Sequence, residues 1–341
     1  MESKKKYLII YHKEDNDGVF SGAIIYEFLI SELKKNKESI DLLGADYNIL
    51  NKFSESYKDN IEDLKNEYKS IIMADISFND VFFMKSLYNL YKNDFIWFDH
   101  HAPIIHQSKV NKFSDISGLR DTSKSAILCV WEWLYNPFNI EEIPELLKVL
   151  SAYDSWTYKE NGYNFDYVYN INKGVTNKFN LDFNKIVNII KDIKDNKYID
   201  LLKLETLGRN LNNYDAQRYI DIIKNSGDCT WKIYTDNKLF SGDELYRTAC
   251  ALFIQGPSNS VMFKSLIKGT NDDLMNGIVF KRNNDSTWTI SLYNIRDNDN
   301  TFHCGDYLKK FYNGGGHKGA AGCTVDEKTF IKILKSKTLG K

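Results

Sequence analysis

Cysteine is scarce and unpatterned in this sequence. The five residues, Cys129, Cys229, Cys250, Cys304 and Cys323, are odd in number and include no C-x-x-C pair. Such spacing argues against a disulfide framework or a structural zinc site and favours a reducing compartment. Long apolar runs are missing too, so nothing is expected to span a bilayer. The start MESKKKYLIIYHK has an apolar stretch only from Tyr7 to Tyr11, with charge following at once. It reads as a buried first strand, too short for a secretory core, and the expected location is cytoplasmic with no membrane partner. An excess of either charge is also lacking. Lys plus Arg number 45 against 46 Asp plus Glu, a net charge of −1, so no overall basic field is available to hold long nucleic acid. A short substrate gripped through metal fits this balance better.

What is present suits a globular protein of two domains. With 341 residues and 43% hydrophobic content, the chain can build two cores. Its first part alternates short β-rich runs with helical patterns. Strands are expected over Tyr7 to His12, Asp41 to Tyr47, Ser70 to Ile76 and Asp94 to Asp99. Helices are expected over Gly18 to Lys35, Glu55 to Tyr68, Asn79 to Tyr91, 123–135 and 141–153. Alternation at this pitch predicts a parallel sheet covered on both faces. The stretch 182–226 is charged and helical without a strand signal, which reads as a solvated connector. Beyond it, strands are expected over Thr230 to Tyr234, Gly277 to Lys281 and Thr287 to Leu292, with helices over Leu245 to Ile254 and Asp306 to Tyr312. The fold class is therefore α/β: an N-terminal parallel-sheet domain over 1–180, a helical linker over 181–227, and a smaller mixed α/β domain over 228–341.

Acids and histidines gather where those strands end. His12, Asp15 and Asp17 lie in YHKEDNDG, Asp75 in IIMADIS, and Asp99, His100 and His101 in FIWFDHH. Asp154, in LSAYDSW, follows a helix instead. Taken alone, EDNDG is a solvated turn or a helix cap, and Asp75 or Asp154 alone says little. Their order on this strand pattern says more, because loops at the carboxyl ends of parallel strands converge. Clustered carboxylates raise one another's pKa unless a cation compensates them. Carboxylate oxygens with imidazole nitrogens and no thiolate suit Mn²⁺ or Mg²⁺. Of the remaining histidines, His106 and His303 have no such company and read as surface or structural.

These motifs resemble the DHH phosphoesterases, named for the triplet seen here as Asp99-His100-His101. The likeness extends to TSKSAILCVWEWL (Thr122 to Leu134), similar to that family's Ser/Ala-led helix. It also reaches the second domain, where Gly314-Gly315-Gly316-His317-Lys318-Gly319-Ala320-Ala321-Gly322 is very similar to the GGGHxxAAG signature of the DHH-associated domain. Within that superfamily the nano-RNA exonucleases are most alike. The resemblance implies a phosphodiesterase that cleaves short RNA or DNA oligonucleotides, or linear or cyclic dinucleotides, from one end, with two Mn²⁺ (or Mg²⁺) activating water. It implies that His12, Asp15 and Asp75 hold one ion, and that Asp17, Asp75, His100 and Asp154 hold the other. His101 then faces the substrate phosphate as a catalytic group, with Asp99 orienting it. Gly314, Gly315, Gly316 and His317 then contact substrate. A homodimer is also admitted, since dimers are common among such enzymes.

One departure bears on substrate grip. Where the associated domain usually carries a phosphate-binding Arg, this chain has Tyr293 in Ser291-Leu292-Tyr293-Asn294, and the nearest Arg is Arg296. The grip is expected to pass to Arg296, and Tyr293 to stack on a base. Three rivals are weighed. An inorganic pyrophosphatase or polyphosphatase would want a Ser-Arg-Lys-type cluster in the second domain, which is not found. A RecJ-like exonuclease would want an added oligonucleotide-binding domain. A non-catalytic nucleotide sensor would be expected to have lost a ligand.

Overall fold

The computed structural model describes residues 6–138, 142–225, 230–235, 246–254, 263, 274–295, 302–316 and 318–340. The chain divides into two compact units, Met1–Asn212 and Asn213–Lys341.

In the first unit, β1 (Lys6–His12), β2 (Ile40–Ala45), β3 (Tyr68–Ala74) and β4 (Phe95–Phe98) form one sheet in the order β2-β1-β3-β4. Every pairing in it is parallel. The side-chain period of two explains how an almost continuously apolar strand is satisfied. Ile9, Tyr11, Ile72 and Ala74 enter one core cluster, while Leu8, Ile10, Ile71 and Met73 enter another on the opposite face. The first face is covered by α1 (Asn16–Ser31), α6 (Ala126–Tyr135), α7 (Glu145–Asp154), α8 (Phe165–Phe179) and α9 (Phe183–Lys194). The second carries α2 (Tyr47–Ser56), α3 (Glu62–Glu67), α4 (Val81–Tyr91) and α5 (Ala102–Val110). Helix α1 is apolar all round because it is buried nearly all round, from Val19 to Leu29.

Three expectations need correction here. The strand expected to Tyr47 stops at Ala45, because Asp46 caps a helix: its carboxylate accepts from the Ile49 amide at 2.8 Å. The single helix expected over Glu55 to Tyr68 is two, α2 and α3, and Tyr68 already belongs to β3. The stretch read as a solvated connector begins with a core element, since Ile186, Val187, Ile190 and Ile193 of α9 are buried in the first unit. Helix α10 (Leu201–Asn225) follows, and the division between the units falls inside it. Among the described residues no helix is long and apolar enough to cross a membrane.

The second unit is built on a mixed seven-stranded sheet of β5 (Thr230–Tyr234), β6 (Tyr246–Phe253), β7 (Leu274–Arg282), β8 (Thr287–Asn294), β9 (Gly315–Gly316), β10 (Ala320–Asp326) and β11 (Thr338–Leu339). Its order is β11-β5-β6-β7-β8-β10-β9, with β6–β7 and β5–β11 parallel and the rest antiparallel. The helix expected over Leu245 to Ile254 is strand β6. It lies between β5 and β7 with Cys250, Ala251 and Leu252 buried, and a short apolar run covered on both faces lacks the alternation that marks a strand. The helices Cys304–Tyr312 and Glu327–Ser336 pack on this sheet, the second through Phe330 stacked on Trp288 at 3.7 Å.

Candidate metal centre

The first unit brings the acids and imidazoles of its strand ends together. His12 is the last residue of β1, and Asp15 caps α1 with one oxygen, accepting from the Gly18 amide at 2.9 Å. The other oxygen of Asp15 lies 2.7 Å from His12 Nδ1, and Asp75 Oδ2 is 3.5 Å from the same nitrogen. This close turn needs Gly18, where a Cβ would sit 2.1 Å from the His12 carbonyl oxygen. Asp75 follows β3 in the left-handed region at φ 59°, its amide still donating to the Phe98 carbonyl at 3.0 Å. Asp154 is the last residue of α7. His100 Nε2 lies 3.2 Å from Asp154, 3.4 Å from Asp75 and 3.6 Å from Asp17 oxygens.

Asp17 has a second duty. Its two oxygens accept from the Ala126 and Ile127 amides at 2.9 and 2.8 Å, so a buried carboxylate in the first turn of α1 caps the start of α6. The Ser/Ala-led segment singled out in the sequence is thus tied to the centre through its backbone.

Three sets of side chains each offer ligand atoms within 4.8 Å of one another: His12, Asp15 and Asp75; Asp17, His100 and Asp154; and Asp75, His100 and His101. Asp75 belongs to two of them. These residues fit divalent cations on two further grounds. One imidazole N–H cannot serve the three carboxylates around His100. Buried Asp75 Oδ1 has no hydrogen-bond partner among the described residues. The electrostatics agree. Burial, then Asp17 and Asp15, hold the Asp75 carboxyl well above its ordinary range. Burial, then Asp17 and Asp75, do the same to Asp154. Burial works against protonation of His12, yet its contacts with Asp15 and Asp75 push it up to about 11. A site so rich in mutual repulsion is one that cations relieve.

His101 stands at the start of α5 and is held differently. Its Nδ1 is 2.7 Å from Asp99 Oδ1, which also accepts from the amides of His100 at 2.7 Å and His101 at 3.0 Å. The Trp97 indole donates to the other Asp99 oxygen at 3.0 Å. Burial disfavours charge on Asp99, but the bond to His101 and its positive charge outweigh this and bring the carboxyl below its ordinary value. Burial likewise opposes charge on His101, and Asp99 overcomes it and raises the imidazole. With Nδ1 so engaged, Nε2 is the atom left for a ligand.

The remaining candidate residues lie in the second unit. Gly314 and Gly316 serve close packing: a Cβ would meet Cys323 Cβ at 2.6 Å from the first and Ala321 Cα at 2.6 Å from the second, where φ is +140°. Gly315 has open space beside it. Tyr293 is 7% exposed, with its ring 6.0 Å from that of Phe263. β8 is covered on both faces, so Leu292 enters one cluster and Tyr293 the other. His317 and Arg296 lie outside the described residues. Tyr47, which motif reasoning passes over, is the first residue of α2, with its ring 6.4 Å from that of His12.

No family model matches the sequence, and no curated protein is similar to it. Solved structures do share its architecture. The exopolyphosphatase-related protein of Bacteroides fragilis superposes with a TM-score of 0.51 at 16% identity, over 98% of this chain and 91% of the other. RecJ of Thermus thermophilus, in complex with Mn²⁺, gives a TM-score of 0.50 at 13% identity over 98% of this chain and 51% of RecJ. The chain therefore spans about half of RecJ. At these identities the likeness speaks for architecture alone.

Proposed function

We propose that this chain is a two-metal-dependent phosphodiesterase that hydrolyses short oligonucleotides or linear or cyclic dinucleotides. The observation that carries the reading is Asp75, a buried carboxylate with one oxygen that accepts no hydrogen bond among the described residues, shared between the sets His12–Asp15–Asp75 and Asp75–His100–His101. His12, Asp15 and Asp75 would hold one ion, and Asp17, Asp75, His100 and Asp154 the other. A fold likeness to a RecJ described with Mn²⁺ supports that choice of metal. Bound there, divalent cations supply Lewis acidity, which lowers the pKa of water and offsets phosphoryl charge. The chain's own residues do the rest. Asp99 fixes the tautomer and orientation of His101, whose Nε2 then offers a hydrogen bond, or a proton, to a phosphoryl or leaving-group oxygen. Near-zero net charge favours a short substrate held at the centre over a long one held by field.

A substrate panel tests this reading. The full chain loaded with Mn²⁺ is offered linear and cyclic dinucleotides, short RNA and DNA, pyrophosphate and polyphosphate. Hydrolysis of nucleotide diesters, with little on pyrophosphate or polyphosphate, is expected. Turnover confined to pyrophosphate or polyphosphate would replace the reading with its inorganic rival.

A further inference from the structure

The candidate ligands of the centre are all acids and imidazoles, and an uncharged donor beside them would complement the set. Tyr47 is placed to be one. It opens α2 immediately after β2, and β2 is in register with β1 so that Ala45 lies beside His12. Two contacts lock that start in place: the Lys13 amide donates to the Ala45 carbonyl at 3.1 Å, and Lys13 Nζ pairs with Asp46 at 2.9 Å. Asp46 in turn caps α2. The Tyr47 ring is thereby set against His12, tilted by 48°, while the residue stays 42% exposed. Its hydroxyl makes no hydrogen bond among the described residues.

We propose that Tyr47 is a substrate-contacting residue of this centre, its hydroxyl donating a hydrogen bond to a non-bridging oxygen of the phosphoryl group under attack. The proposal rests on the phosphoesterase reading. A phosphoryl oxygen among carboxylates needs donors, and an uncharged O–H supplies one without a further ion to desolvate. The ligand class that follows is a tetrahedral oxyanion, and inorganic phosphate is its simplest member.

The test uses the full chain loaded with Mn²⁺ as wild type, Tyr47→Phe and Tyr47→Ala. Metal content, calorimetric affinity for inorganic phosphate, and kcat/KM on a dinucleotide are measured for each. Tyr47→Phe keeps the ring against His12 and removes only the hydroxyl. It is expected to retain its metal, to bind phosphate about tenfold more weakly and to lose about tenfold in kcat/KM, the order of one hydrogen bond to a charged group. Tyr47→Ala is expected to add little to that. Wild-type phosphate affinity and turnover in Tyr47→Phe, with a defect only in Tyr47→Ala, would make Tyr47 a packing residue and overturn the assignment. Loss of Mn²⁺ from Tyr47→Phe would overturn it as well. If wild type itself binds neither Mn²⁺ nor phosphate, the phosphoesterase reading falls first and takes Tyr47 with it.

Discussion

Asp75 and His101 illustrate how different two residues of one centre can be. Asp75 is 3% exposed, sits in a left-handed backbone conformation and faces like charge. Without metal its charge is a liability to the fold, so Asp75→Asn, which keeps the shape and suits the left-handed backbone, should stabilise the metal-free protein while removing function. Thermal melts in chelator should show Asp75→Asn melting at or above wild type, and added Mn²⁺ should raise the wild-type midpoint only. His101 presents the opposite case. Its Nδ1 is held by Asp99, and in the proposed mechanism removing either should leave the metal ligands in place. His101→Ala should lower kcat by about 10²–10⁴ with metal content unchanged. Asp99→Asn should fall in the same range, because an amide can donate to Nδ1 and favour the wrong tautomer. Metal loss in His101→Ala would make the imidazole a ligand of the set it shares with Asp75 and His100.

At the scale of elements, the caps connect fold to site. Asp15 starts α1 and Asp17 holds the first amides of α6, so two carboxylates of the centre also fix helix positions. Asp17→Ala should therefore cost the metal-free protein about 1–2 kcal/mol, the usual cost of a lost cap, where Asp75→Asn costs nothing. Chemical denaturation in chelator separates the two. Much of this was legible in the sequence. Strands ending in His12, Asp75 and Asp99 were expected within a few residues, because continuous apolar runs bounded by acids mark buried parallel strands. The capping of α6 by Asp17 was not legible, since it joins residues more than a hundred positions apart through backbone amides. Nor was Tyr47, whose neighbour His12 depends on the register of β1 and β2. Strand β6 is not legible as a strand, because burial on both faces erases the period of two.

For the molecule as a whole, protons and metal compete for one set of groups. The folded chain raises Asp75 and Asp154, so it holds protons that the unfolded chain has already released, and each step up in pH costs stability until they ionise. His12 acts in the same sense. Its contribution is full below the ordinary histidine value of 6.5 and is lost as pH rises through about 11. These groups thus make the metal-free protein less stable at about pH 9 than at about pH 6, and the stabilisation by Mn²⁺ should grow over that interval as ligands give up protons. Melting curves with and without Mn²⁺ at the two pH values check both signs. The most direct test of the central claim is hydrolysis of a dinucleotide by chelator-stripped full chain, wild type beside Asp75→Ala, before and after Mn²⁺ is restored. The account predicts mononucleotide product only from wild type with Mn²⁺; turnover by Asp75→Ala, or by stripped wild type, would contradict it.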